Sequence, residues 1–188
     1  MGETTISTII TTIITIIGFA ISYILIVKQK KLAVQQQKNE WQIQKLGDIL
    51  TDVLDMISDY EKMVANIDIK EMKKNEKKSE IINKIIICYG TENVVKIWEY
   101  YYNMIYTGID DNIPVSSARY IATLVLLVMQ IKYDITDIKT SPKVWYIKYT
   151  TQAMQQDHFY EQSVEEINRI VDLLGLPNFL KIIDNSVY

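Results

Sequence analysis

The chain has 188 residues, 48% of them hydrophobic and 23% charged, and carries a net charge of -3. That balance gives no general attraction to nucleic acid, and three prolines with six glycines argue against a disordered or sandwich-like chain. The single cysteine, Cys88, cannot form an internal disulfide, which fits a reducing cytosol.

The first element is an uncharged run. Between Glu3 and Lys28 no side chain carries a charge, and Thr4 to Val27 exceeds the ~20 apolar residues that a helix needs to cross a bilayer. The expected architecture is therefore all-α: an N-terminal transmembrane helix over residues 1-28, a long membrane-proximal helix over 29-67, a charged connector over 68-79 and a compact helical domain over 80-188. A cleaved signal peptide would need a basic start and a small-residue cleavage site, neither of which is visible.

Within the span, Thr4, Thr8, Thr11, Thr15, Gly18 and Ser22 recur at spacings of four and three, so they share one helix face. Small residues and hydroxyls are what bring spans together, because lipid tails supply no hydrophobic drive between helices. The same alternation continues through Leu25, Gln29, Leu32, Gln36 and Asn39 into Ile43, Leu46, Leu50, Val53 and Ile57. A sustained seven-residue repeat implies left-handed supercoiling. These small and apolar positions are the candidate oligomerisation residues. Beyond Ile43 the seam has two possible partners, a second copy or the chain's own later helices.

Lys28, Lys30, Lys31 and Lys38 follow the span closely, while only the amino terminus and Glu3 precede it. Positive charge stays in the cytoplasm, which puts the N-terminus outside and the body inside a cell membrane. The lysines can also touch anionic lipid. After the seam helix, which should end near Asn66, Lys70 to Lys78 reads as a charged connector or fraying helix end.

Helices are then expected from Ser79 to Tyr89-Gly90, and from a Thr91 cap through Trp98 and Tyr101 to Gly108. Asp110-Asp111-Asn112 and Pro114 form a turn. Ser116 or Ser117 caps the next helix, whose apolar middle from Ile121 to Ile131 is too short to span a bilayer and so marks the buried centre. Ser141-Pro142 starts a fifth helix. A sixth runs from about Tyr160 to Leu174 before Gly175 and Pro177, with Phe179, Leu180 and Ile183 in a terminal lid.

Catalytic chemistry has little to stand on. His158, beside Asp157, is the only histidine, and a pair with Cys88 is conceivable although isolated residues of this kind are usually surface features. Two Cys or His ligands fall short of a structural zinc site. Asp110 with Asp111, or Asp134 with Asp137, could hold Mg²⁺, but such aspartates are more often turn-formers. Trp98, Tyr100, Tyr101, Tyr102 and Tyr106 crowd one helix; outward-facing rings near Lys96, Arg119 or Lys132 could stack a base, or serve a membrane or subunit contact. No enzyme activity, cofactor, metal or specific nucleic-acid site is expected.

Tyr89-Gly90-Thr91 and Val94-Val95, within Ile85 to Trp98, are followed by an apolar helix ending in Ile131-Lys132-Tyr133-Asp134-Ile135-Thr136. This pattern resembles a group of small prokaryotic single-span membrane proteins. Their helical cytosolic domain carries a Tyr-Gly-Ser/Thr turn and a Met-Arg-Lys-Asp-Leu-Gly-like ending; here Ile131 stands for the Met, Tyr133 for the Lys and Thr136 for the Gly. Some of them resemble accessory membrane proteins of phage defence, and no catalytic residues carry over. The expected function is an oligomeric membrane effector, of the kind the resemblance links to antiviral defence, whose head senses a cytosolic protein or small-molecule ligand and perturbs the bilayer. The alternative is a passive tether that recruits a cytosolic partner.

Overall fold

A computed structural model describes residues 2-65, 69-107, 116-149 and 158-183. It is all-α. Among the described residues there are six α-helices and no strand: α1 Gly2–Ala65, α2 Ile69–Tyr89, α3 Glu92–Tyr102, α4 Ser117–Thr136, α5 Lys143–Tyr149 and α6 Phe159–Leu174. A π-helical turn, Asn103–Thr107, extends α3, and a 3₁₀ turn covers Asn178–Leu180. Two compact units divide at Trp41 and Gln42.

In the first unit, Met1–Trp41, the helix α1 runs from Gly2. From Phe19 to Leu46 the sequence offers no glycine or proline to interrupt it, and Lys, Gln, Leu and Ala are strong helix formers. Residues 21-40 are exposed throughout, including Ile24, Leu25, Ile26 and Val27. Among the described residues no helix is long and apolar enough to cross a membrane. The expected span falls only partly on them, since the side chains of residues 2-17 lie outside what is described.

The second unit is organised around α4. Ser116 caps it in an extended conformation, its Oγ accepting from the Arg119 N–H at 3.1 Å. Asp137, at φ 56°, ends it in the left-handed region. Every residue from Ala118 to Ile131 between these caps is buried. As the apolar run requires, α4 is enclosed on all sides, with α3 and α6 as its main neighbours. Val94, Ile97, Trp98 and Tyr101 supply the inner face of α3, and Val164, Ile167, Ile170 and Val171 that of α6. Both sets follow helical i, i+3, i+4 spacing, and each such side chain contributes about 1.5–3 kcal/mol by leaving water.

The end of α1 belongs to this core. Leu46, Ile49, Val53, Met56 and Ile57 are buried there, together with Ile82 and Ile86 of α2. Of the two partners open to the seam over Ile43, Leu46, Leu50, Val53 and Ile57, the chain's own helices take most of it. Its members from Leu46 onward close on the chain's own helices, while Ile43 stays 41% exposed. The inward face is turned by about one residue, towards Ile49 and Met56, leaving Leu50 only partly buried. A heptad seam and an amphipathic face share most positions, so spacing alone does not separate them.

Lys78 of α2 joins the two helices, reaching Asp55 at 2.9 Å and Asp59 at 3.6 Å. Partial burial works against its charge, yet the bond to Asp55 and the charges of Asp55, Asp59 and Asp52 outweigh it and hold its pKa above the ordinary lysine value. The expected connector over 68-79 is also corrected, because α2 is already helical from Ile69. Lys and Glu favour helix even where no apolar period runs through them.

Local stop signals act as their chemistry dictates. Gly175, at φ 63°, ends α6, and the Leu176 N–H reaches back to the Val171 carbonyl at 2.9 Å. Ser141 Oγ accepts from the Lys143 N–H at 3.3 Å, with Pro142 in the turn just before α5. The terminal lid is formed by Leu180 and Ile182, not Ile183, which is 89% exposed. Asn168 fixes this arrangement by bonding both the N–H and the carbonyl of Ile182, at 2.9 and 3.0 Å. The expected turn at Asp110-Asp111-Asn112 and Pro114 lies outside the described residues.

Candidate functional site

Two polar constellations hold the body, and the first is built on the Tyr89-Gly90-Thr91 turn. Gly90 donates to the Ile86 carbonyl at 2.8 Å, and a Cβ at position 90 would lie 2.5 Å from that same oxygen. Only glycine fits this approach. Thr91 is the extended N-cap of α3, its Oγ1 accepting from the Val94 N–H at 3.5 Å while donating to Asp134 Oδ2 at 2.6 Å. Gln130 Nε2 donates to Asp134 Oδ1 at 2.8 Å. From α1, Gln42 Nε2 donates to the Tyr89 carbonyl at 2.8 Å.

One turn is thus gripped from α1 and from α4. Thr91 and Asp134, which belong to the two separate halves of the motif noted in the sequence, meet in a hydrogen bond. With both carboxylate oxygens taken by neutral donors, Asp134 is engaged as a tie between helices. Asp137, weighed with it in the sequence as a conceivable Mg²⁺ pair or a turn-former, ends α4 as its C-cap. Among the described residues no group of three or more His, Cys, Asp or Glu side chains could hold a metal. Asp134→Ala should cost about 1–3 kcal/mol, because the hydroxyl and amide it serves lose their acceptor. Denaturant unfolding followed by circular dichroism measures this, and an unchanged midpoint would show the tie to be incidental.

The second constellation is ionic. Arg119, whose side chain is 3% exposed, donates from Nε to both oxygens of Glu166 at 3.2 Å and from Nη2 to Oε1 at 3.1 Å. Arg169 joins the same carboxylate through Nε at 2.9 Å, and its Nη2 donates to the Tyr100 hydroxyl at 2.6 Å. Burial works against the Arg169 charge. The bond to Glu166 and the fields of Tyr100 and Glu166 outweigh that effect and raise its pKa further above the ordinary arginine value. Nearby on α5 and α6, the Tyr146 ring meets Tyr160 edge-on at 5.7 Å. Burial pushes the Tyr146 phenol well above its usual pKa, with Ser163 opposing and Tyr160 adding to the shift. A fully engaged carboxylate and a protonated buried phenol fasten α3, α4, α5 and α6; neither is placed as a nucleophile.

The residues expected to form an oligomeric contact divide into three sets. Thr4, Thr8, Thr11 and Thr15 have side chains outside the described residues. Gly18 and Ser22 are exposed, and a Cβ at Gly18 would meet nothing within 4 Å. In the third set Leu46, Val53 and Ile57 are in the core, Leu50 packs against it partly buried, and Ile43 is exposed.

The other candidates resolve individually. His158 is exposed, sits at φ 57° and contacts the Glu161 carboxylate; Asp157 lies outside the described residues, and Cys88 is exposed on α2. The aromatic cluster mainly faces inward. Trp98 and Tyr101 are buried and stacked at 4.9 Å, Tyr101 continues to Tyr120 at 5.8 Å, and Tyr100 serves Arg169. Tyr102 is exposed, and Tyr106 has its side chain outside the described residues. Arg119, Trp98 and Tyr101 are buried and offer no face on which a base could stack.

The ionic constellation was missed in the sequence although a signal exists. Twenty residues are Lys or Arg, yet Arg119 and Arg169 are the only arginines, and both converge on Glu166. A fork of donors is what Lys cannot supply. The fold and these ties define an all-α body closed around one central helix. No protein-family model, curated protein or solved structure matches the chain.

Proposed function

We propose that this protein is a single-span membrane effector whose helical head responds to a cytosolic protein or small-molecule ligand and perturbs the bilayer, in a role of the kind served in phage defence. Thr4 to Val27 cross the membrane with the N-terminus outside, the body is cytoplasmic, and self-association runs through the small-residue stripe that includes Gly18 and Ser22. The observation that carries this reading is the extent of α1. One unbroken helix, Gly2–Ala65, contains both the uncharged run and the core residues Leu46, Ile49, Val53 and Met56. A rearrangement of the body core therefore acts on the helix that holds the span, provided a ligand binds the two arrangements unequally.

Expression of the activated full-length protein should depolarise cells, read with a potential-sensitive dye. The fragment from Lys38 onward should not. Gly18→Leu should abolish the effect without loss of expression, because the open space around Gly18 accommodates a side chain within one copy and any block arises from a neighbour. A toxic soluble fragment, or an active Gly18→Leu variant, would remove the effector reading.

One observation favours a second reading, the passive tether. Burial of Leu46, Val53 and Ile57 in the chain's own core withdraws most of the membrane-proximal seam from self-association. A monomeric mass in mild detergent, together with intact membrane potential in expressing cells, would establish the tether instead.

A further inference from the structure

The first unit holds a cluster of cations with no acidic side chain among them. From Thr4 to Asn39 the only ionisable acid or base side chains besides Tyr23 are Lys28, Lys30, Lys31 and Lys38, and the first acid beyond them is Glu40. All four lysines are exposed, and among the described residues none has a hydrogen-bond or ion-pair partner. Some lysines of the body are paired. Lys45, Lys78, Lys96 and Lys181 each meet a carboxylate, at 3.2, 2.9, 2.7 and 2.6 Å.

Placement adds direction to the charge. Helical spacing sets Lys28, Lys31 and Lys38 on one face, with Lys30 on another, over ~15 Å of axis at 1.5 Å per residue. The separating residues Gln29, Gln35, Gln36 and Gln37 are uncharged and exposed, so no carboxylate stands between the lysines. Immediately before the cluster, Phe19, Ile21, Ile24, Leu25, Ile26 and Val27 are exposed around the helix, Phe19 at 74%. A soluble polyanion would match the lysines but not this apolar block. The headgroup layer of an acidic leaflet matches both, because it lies where hydrocarbon ends and negative charge begins.

We propose that Lys28, Lys30, Lys31 and Lys38 form a binding surface for anionic phospholipid headgroups, so that the protein gathers acidic lipid around its membrane-proximal helix. This rests on the membrane reading above and names its lipid partner. Three of the lysines fall within ~5 Å of axis, inside the headgroup layer, and Lys38 is within about one Debye length of it. Each lysine near an acidic surface strengthens association by about fivefold.

Full-length protein is reconstituted in vesicles of phosphatidylcholine alone or with about a third phosphatidylglycerol, where the surface potential is appreciable. Particles are excised with a membrane-solubilising polymer, and the ratio of the two lipids retained is compared with the bulk. The expected result is an enrichment of phosphatidylglycerol of about fivefold or more, falling to the bulk ratio in the Lys28→Gln, Lys30→Gln, Lys31→Gln, Lys38→Gln variant and weakening as salt shortens the screening length. A bulk ratio around the unsubstituted protein, equal enrichment around the variant, or displacement of the lipid by a short DNA duplex would overturn the proposal. Flotation separates this from failure of the membrane reading. Protein that floats equally with both vesicle types but shows no enrichment rejects the lipid surface alone, whereas protein that floats with neither rejects the span.

Discussion

Replacing Glu166 by Ala is expected to unfold the helical body in detergent at denaturant concentrations where the unsubstituted protein is intact. The carboxylate is the shared acceptor of Arg119 and Arg169, and the Arg119 side chain is 3% exposed. Its removal leaves a guanidinium without its counter-charge inside the helix packing, a change that costs about 3–5 kcal/mol. Domains of this kind are stable by only about 5–15 kcal/mol, so the loss is a large share of the whole. Arg169→Ala should be milder, about 1 kcal/mol, because that side chain is 36% exposed and water takes over part of its role. Urea unfolding monitored by circular dichroism gives both values. A Glu166→Ala cost below that of Arg169→Ala would mean that the ionic constellation does not hold the helices together.

Gly90→Ala should cost about 3 kcal/mol, the upper end of what one overpacked methyl group exacts. The obstacle is a backbone oxygen, that of Ile86, 2.5 Å from the added Cβ, and side chains of Ile86 and Val95 stand at 3.2 Å. Backbone cannot rotate away as a flexible side chain can, so the last turn of α2 must unwind or the Gln42 and Asp134 contacts must lengthen. Two other glycines separate this cause from others. Gly175→Ala should cost about 1–2 kcal/mol, because its φ of 63° is unfavourable to an L side chain although the space is open. Gly18→Ala, which meets nothing within 4 Å, should leave body stability unchanged. Equal costs at Gly90 and Gly18 would show that the close approach is relaxed easily.

Much of the helix pattern was legible because it is written in local chemistry. Thr91, Ser116 and Gly175 are caps whose side chains or backbone freedom act on the next few residues, and the apolar run of α4 admits hardly any surroundings but a core. The partner of the α1 seam was not legible in the same way. Leu46, Val53 and Ile57 satisfy a heptad and an amphipathic face alike, and Ile49 and Met56, which tip the choice, become informative only once α2 and α4 are in place. The charged start of α2 illustrates a related difficulty. Lys and Glu favour helix by backbone preference, which leaves no apolar period to detect.

Of the two constellations, the Thr91 to Asp134 tie was half visible, since both residues stood in motifs that had already drawn notice. Their contact spans 43 positions, a distance at which spacing carries no information. Arg119 and Glu166 are 47 positions apart, and their signal was one of scarcity, two arginines in a chain that otherwise uses lysine.

Cys88 gives the protein a built-in reporter. It is the chain's single cysteine, it is exposed, and it lies two residues before the crowded Gly90 and three before Thr91. A nitroxide or fluorophore attached to the natural sequence would therefore sit beside the turn that α1 and α4 both grip. Line shape or anisotropy at that one position would follow loosening of the grip as ligands or lipids are titrated, with no engineered thiol and no background from a second label.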